Sequence, residues 1–113
     1  MSKVTLTVSS RKEVTDRIRT AFQGKPLGAV ISFSSPELLW QTLTKKRWAL
    51  LRAMVGQRPM TIRGLARKVC RDVKAVHGDV HVLLNAGHVD HTVEGRVVFP
   101  YDAVHVDFEL KAA

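Results

Sequence analysis

The sequence predicts an α+β chain, a winged helix-turn-helix over residues 34–102 with an additional, dimeric sheet built from both ends. That sheet combines a strand-helix-strand element, residues 1–33, with a C-terminal strand, residues 103–113. Three observations lead there. Residues 60–87, MTIRGLARKVCRDVKAVHGDVHVLLNAG, carry two short helical periodicities separated by a break, with basic residues on the faces left over. Two strand-like runs around Glu94-Gly95 follow directly. Apolar strands at both termini find no partner inside the central unit and would leave sticky edges unless they pair with each other or across two copies.

In chain order, Val4, Leu6 and Val8 alternate with Thr5, Thr7 and Ser9, the pattern of a half-buried strand. Ser9 or Ser10 can cap a helix whose stripe is Val14, Ile18, Ala21 and Phe22, and Gly24-Lys25-Pro26-Leu27-Gly28 ends it. Residues 29–33 read as a second strand, apolar enough to be covered on both faces. Ser35-Pro36-Glu37 combines a capping hydroxyl, a proline at the first helical position and an acid in the first turn. The helix after it has a broad apolar face in Leu38, Leu39, Trp40 and Leu43. Another runs over residues 45–55, with Trp48, Leu51, Met54 and Val55 inward and Lys46, Arg47 and Arg52 outward, until Gly56-Gln57-Arg58-Pro59 closes it.

Ile62, Leu65, Ala66 and Val69 form the stripe of the next helix, with Thr61 as its cap. After a short turn, Val73, Val76, Val80, Leu83 and Leu84 repeat the spacing, Asp72 supplies the N-cap or first-turn acid, and Asn85-Ala86-Gly87 the stop. This second helix leaves Arg71, Lys74, His77, Gly78 and His81 outside. The runs 88–93 and 96–99 then form a hairpin about Glu94-Gly95, which directly after a helix-turn-helix is a wing. Beyond Pro100, Val104, Val106, Phe108 and Leu110 alternate with His105, Asp107 and Glu109, a strand expected to join the N-terminal sheet.

The net charge of +8 is concentrated. Residues 36–75 hold ten basic side chains against Glu37 and Asp72, a local balance of +8, whereas residues 76–113 come to −4. A field focused on the helix-turn-helix favours a polyanion, here double-stranded DNA. The expected contacts are Arg63, Arg67 and Lys68 near the backbone, Arg71, Lys74, His77 and His81 on the recognition face, and Arg96 on the wing. The single Cys70 cannot form an internal disulfide and the longest uncharged run is too short to span a bilayer, so the expected location is the cytoplasm, with no membrane partner.

The runs FSSPELLW (33–40), LTKKRW (43–48), RDVKAVHGDV (71–80) and GRVVFPYD (95–102) resemble the small winged helix-turn-helix transcriptional regulators of archaea and bacteria, related in fold to the MarR and ArsR types. Some members of that family are regarded as antitoxins. The resemblance covers residues 33–110 and implies a homodimer whose helix over residues 72–85 enters the major groove, with Arg71, Lys74 and His77 as contacts, and a cognate toxin as protein partner. Two departures stand out: Cys70 where the family has a glycine in the turn, and Gly78 where it has a basic residue. The first strains a left-handed turn, and the second removes a contact and costs the helix about 1 kcal/mol relative to alanine.

Other chemistry is sparse. His77, His81, His88 and His91 together suggest the site of a metal-responsive repressor, but no carboxylate or thiolate completes it, so neither metal nor cofactor is expected. His88 and His91 read as strand-surface residues. Cys70, flanked by Arg67, Lys68 and Arg71, offers the alternative of a redox-responsive repressor. A protein-interaction module without DNA binding is the remaining alternative. No enzyme is expected: Ser34 and Ser35 are better read as caps, no glycine loop cradles phosphate, and the acids are scattered.

Overall fold

Val4 and Leu6, the inward positions of the first strand, are 0% and 1% exposed, and the remainder of the chain is built around them. The computed structural model describes residues 2–8 and 29–107. The helix expected on Val14, Ile18, Ala21 and Phe22, and the alternation at Phe108 and Leu110, lie outside the described residues.

β1 (Lys3–Val8) is the middle strand of a sheet ordered β2-β1-β5, with β2 (Ala29–Phe33) and β5 (Ala103–Asp107) both parallel to it. The register sets Leu6 opposite Ile31 on one side and Val106 on the other. The C-terminal strand thus joins the N-terminal pair as expected, and it does so within one chain, because the central helices carry the chain back to the start of β1. Ser2 and Asp102 clasp that end: the Asp102 amide donates to the Ser2 carbonyl at 2.9 Å and the Ser2 amide to Asp102 Oδ2 at 3.1 Å.

The expectation that β2 is covered on both faces is corrected. Only Phe33 is buried, and Val30 is 38% exposed, because the buried layer is centred on β1 and β2 lies at the sheet edge.

Among the described residues four helices lie between β2 and the hairpin, each started by a side-chain oxygen that accepts a backbone amide. α1 (Pro36–Thr42) is capped by Ser35, α2 (Lys45–Met54) by Thr44, α3 (Ile62–Lys68) by Thr61 and α4 (Val73–Asn85) by Asp72. The broad apolar face expected of α1 is only half used: Leu39 and Leu43 are buried, while Leu38 and Trp40 are 43% and 58% exposed. Seven residues make barely two turns, too few to bury a stripe this wide. In α4, Val76, Val80 and Leu83 are buried, whereas Val73, the first helical residue, is 39% exposed. One continuous cluster of buried side chains runs from Val4, Leu6 and Phe33 through Leu39, Leu50, Met54, Leu65, Val80 and Leu83 to Val97 and Phe99.

The hairpin is real but smaller than expected. β3 (Asp90–His91) and β4 (Val97–Val98) pair antiparallel over two residues each, not over 88–93 and 96–99. The loop between them closes on itself, with the Thr92 amide donating to the Arg96 carbonyl at 2.8 Å, the Gly95 amide to the Thr92 carbonyl at 3.0 Å, and Gly95 at φ 82°. Val97 also exchanges two backbone hydrogen bonds with Met60, 2.8 and 2.9 Å, which ties the hairpin to the chain entering α3. Among the described residues no helix is long and apolar enough to cross a membrane.

Candidate functional site

α3 and α4 meet through a turn whose geometry follows from how α3 ends. Cys70 adopts φ 57°, its amide donates to the Arg67 carbonyl at 3.2 Å, and the Arg71 amide donates to the Ala66 carbonyl at 3.0 Å. This pair of reversed bonds with a left-handed residue between them is the Schellman termination, which ordinarily takes glycine. α4 ends in the same way with glycine in place: Gly87 has φ 78° and donates to Leu84, and His88 donates to Leu83. The strain expected at Cys70 therefore has a concrete backbone origin.

An arginine pair locks the turn against α2. Asp79 Oδ1 accepts from Arg47 Nε at 3.1 Å and Oδ2 from Arg71 Nη2 at 2.7 Å, with all three side chains about one-fifth exposed. Arg47 also donates to the Gln41 and Thr42 carbonyls at 3.1 and 3.2 Å, neutralising the C-terminal end of α1. Burial pushes the Asp79 carboxyl up, but the hydrogen bonds and charges of Arg71 and Arg47 outweigh this and hold it below 3.8. Both arginines were expected to point outward. Instead they converge on the one carboxylate that α4 turns toward α2, and Arg71 Nη1 is buried without a hydrogen-bond partner among the described residues.

The other expected positions are exposed. Lys74, His77 and His81 lie on one face of α4 at intervals of three and four, and the two histidine rings meet with Nε2 atoms 3.0 Å apart. Arg63 and Arg67 are exposed on α3, as is Arg96 in the hairpin loop. Lys68 is exposed too, but its Nζ donates to the Ala53 carbonyl at 2.9 Å, at the C-terminal end of α2.

His88 departs from the strand-surface reading. It is 9% exposed and packs on Phe33 with ring centroids 5.3 Å apart, because the α4 termination turns it inward toward β2. Desolvation lowers its pKa from the ordinary 6.5, so the ring favours its neutral form. His91 stays exposed on β3. Among the described residues no three His, Cys, Asp or Glu side chains gather in a way that could hold a metal ion.

A profile of the HVO_A0114 family matches residues 42–106, more than half of the chain. The chain belongs to the HVO_A0114 family. No curated protein and no solved structure matches it. The HVO_A0114 match begins at the end of α1 and runs into β5, so it contains the Cys70 turn, the Arg47–Asp79–Arg71 lock and the whole exposed α4 face.

Within this HVO_A0114 segment the structure adds two residues to the site. Arg58, in the loop before α3, borders a depression of about 650 Å³ together with Pro59, Thr61, Glu94 and Arg96. The Met60–Val97 bridge places that loop beside the hairpin, a pairing that no local pattern announces. Val73, assigned from its spacing to the core, is instead an exposed methyl pair next to Lys74. Away from α4, the half-exposed side of α1 borders an apolar concavity of about 430 Å³ lined by Leu6, Leu39, Trp40, Leu43, Lys45, Trp48 and Val106.

Proposed function

We propose that this chain is a sequence-specific, double-stranded DNA-binding transcriptional regulator of winged helix-turn-helix type. One observation carries the reading: two capped helices joined by a tight termination leave Lys74, His77 and His81 exposed on a single face of α4, while Arg63 and Arg67 are exposed on α3 and Arg96 in the hairpin loop. In this reading α4 enters the major groove, and the β3–β4 loop is the wing, with Arg58 and Arg96 reaching toward the adjacent backbone or a narrow minor groove. Val73 and Lys74, at the start of α4, are placed to meet a thymine methyl and a guanine edge. Arg71 is a positioning residue here, because its guanidinium is already engaged by Asp79.

The regulator acts as a homodimer on a pseudo-palindrome, with half-sites about one helical turn apart. With seven cationic or imidazole side chains per subunit on this surface and half of them reaching phosphate, the log–log salt slope is roughly −6. Selection from random duplexes, followed by mobility shifts at two salt concentrations, tests the reading. Absence of binding at low salt overturns it, and binding without sequence preference removes the regulator role. An autoregulating antitoxin-type repressor is the biological role the sequence resemblance supports. Its test is co-expression with the product of the adjacent gene: a growth-arresting product neutralised by this chain supports the role, and a harmless one overturns it.

A further inference from the structure

His77 and His81 face each other across one turn of α4, Nε2 to Nε2 at 3.0 Å, with ring centroids 4.2 Å apart and planes inclined by 50°. Two imidazoles that meet nitrogen to nitrogen share one proton, one ring donating and the other accepting. A divalent transition ion can take that proton's place. Two imidazole nitrogens bound at about 2.0–2.1 Å, and subtending between a right angle and a tetrahedral angle, lie roughly 2.8–3.4 Å apart. The observed separation falls within that span. For both nitrogens to bind one ion, rotation about χ2, which is broad for histidine, turns the lone pairs from each other toward a common point, with the Nε2 separation staying inside that span.

The surroundings leave room for an ion and its waters. Gly78, adjacent to His77, has nothing within 4 Å of where a Cβ would stand. His81 also borders a depression of about 480 Å³ with Asn85, Asp90 and His91, so a carboxylate contributes negative potential on that side. Lys74, one turn earlier, opposes a cation. With no third His, Cys, Asp or Glu gathered among the described residues, the ion keeps open positions filled by water.

We propose that His77 and His81 form a two-imidazole chelate for a divalent ion of borderline softness, Cu²⁺ ahead of Ni²⁺ and Zn²⁺, on the exposed face of α4. The test is titration of the full-length, tag-free protein with CuCl2, NiCl2 and ZnCl2 in the absence of DNA, so that its outcome is independent of the regulator reading. The expected result is saturable binding, tightest for Cu²⁺, with nitrogen hyperfine structure from two imidazoles in the Cu²⁺ spectrum. His77→Asn and His81→Asn each weaken binding by at least about tenfold, whereas His91→Asn leaves it unchanged. Because both rings are exposed, the variants keep the wild-type circular dichroism spectrum. Absence of saturable binding, full affinity in both substituted proteins, or loss of binding in His91→Asn overturns the proposal.

Discussion

Cys70 holds a backbone conformation that an L side chain resists, at φ 57° in the middle of the α3 termination. Replacing it with glycine removes the contact between Cβ and the backbone at the cost of extra unfolded-state freedom, so Cys70→Gly is expected to raise stability by about 1 kcal/mol, read as a higher urea midpoint at unchanged m. Asp79 is the opposite case. Asp79→Asn leaves two part-buried guanidiniums without their counter-charge and is expected to cost about 1.5–3 kcal/mol. The Asp79 carboxyl is held below 3.8, so its contribution is complete above that value and is lost as pH falls through the lower folded-state value. The stability gap between wild type and Asp79→Asn should therefore narrow only in acid; a constant gap down to the lowest pH at which the protein folds would contradict the lock. His88 titrates in a different window. Its folded pKa is lowered by burial, so the unfolded chain takes up the proton first, and stability falls as pH drops below 6.5. His88→Phe, which keeps a ring against Phe33, should flatten that part of the profile, and parallel profiles would count against a buried neutral imidazole.

At the scale of elements, α3 and α4 carry their exposed cations at different positions. Lys74 sits one residue into α4 on its exposed face, whereas Arg67 lies in the last turn of α3. In the DNA-binding reading, Lys74→Ala is expected to lower discrimination between selected and random duplexes by about 1–3 kcal/mol. Arg67→Ala should weaken both alike, because a phosphate contact carries no base information. Competition mobility shifts distinguish the two, and a Lys74→Ala variant that weakens selected and random duplexes alike would show that Lys74 does not read bases. The hairpin does not stand alone as an element. Two residue pairs in β3 and β4 would be marginal in water, and their anchor is the exchange of hydrogen bonds between Val97 and Met60 together with the burial of Val97 and Phe99.

At the scale of the whole molecule, the terminal sheet and the helices share one core. Leu6 is 1% exposed in the middle strand, and the cluster containing it extends to Leu83 and Phe99. Leu6→Ala should therefore destabilise the helices as well as the sheet, by about 2–5 kcal/mol in a single cooperative transition. Two separate transitions, with only one moved by the substitution, would show that the sheet is an independent unit.

Periodicity, capping residues and glycine placement were enough to locate all four described helices, the Ser35, Thr61 and Asp72 caps, the Gly87 stop and the pairing of the last strand with the first. These features are local, or follow from an apolar strand's need for a partner, so a linear pattern carries them. Which side of a boundary a residue takes was settled only in three dimensions. Arg47 and Arg71 look like solvated charges until Asp79, far from Arg47 in sequence, is brought between them. His88 reads as a surface residue until the termination of α4 turns it onto Phe33. Val73 fits the apolar stripe of α4, yet it is 39% exposed in the first turn of that helix. Arg58 joins Arg96 only because Met60 pairs with Val97. For Arg47, His88 and Arg58 the deciding contact is between segments distant in the chain, and the free energy of burying or pairing a polar group depends on that neighbour rather than on the residue's own spacing.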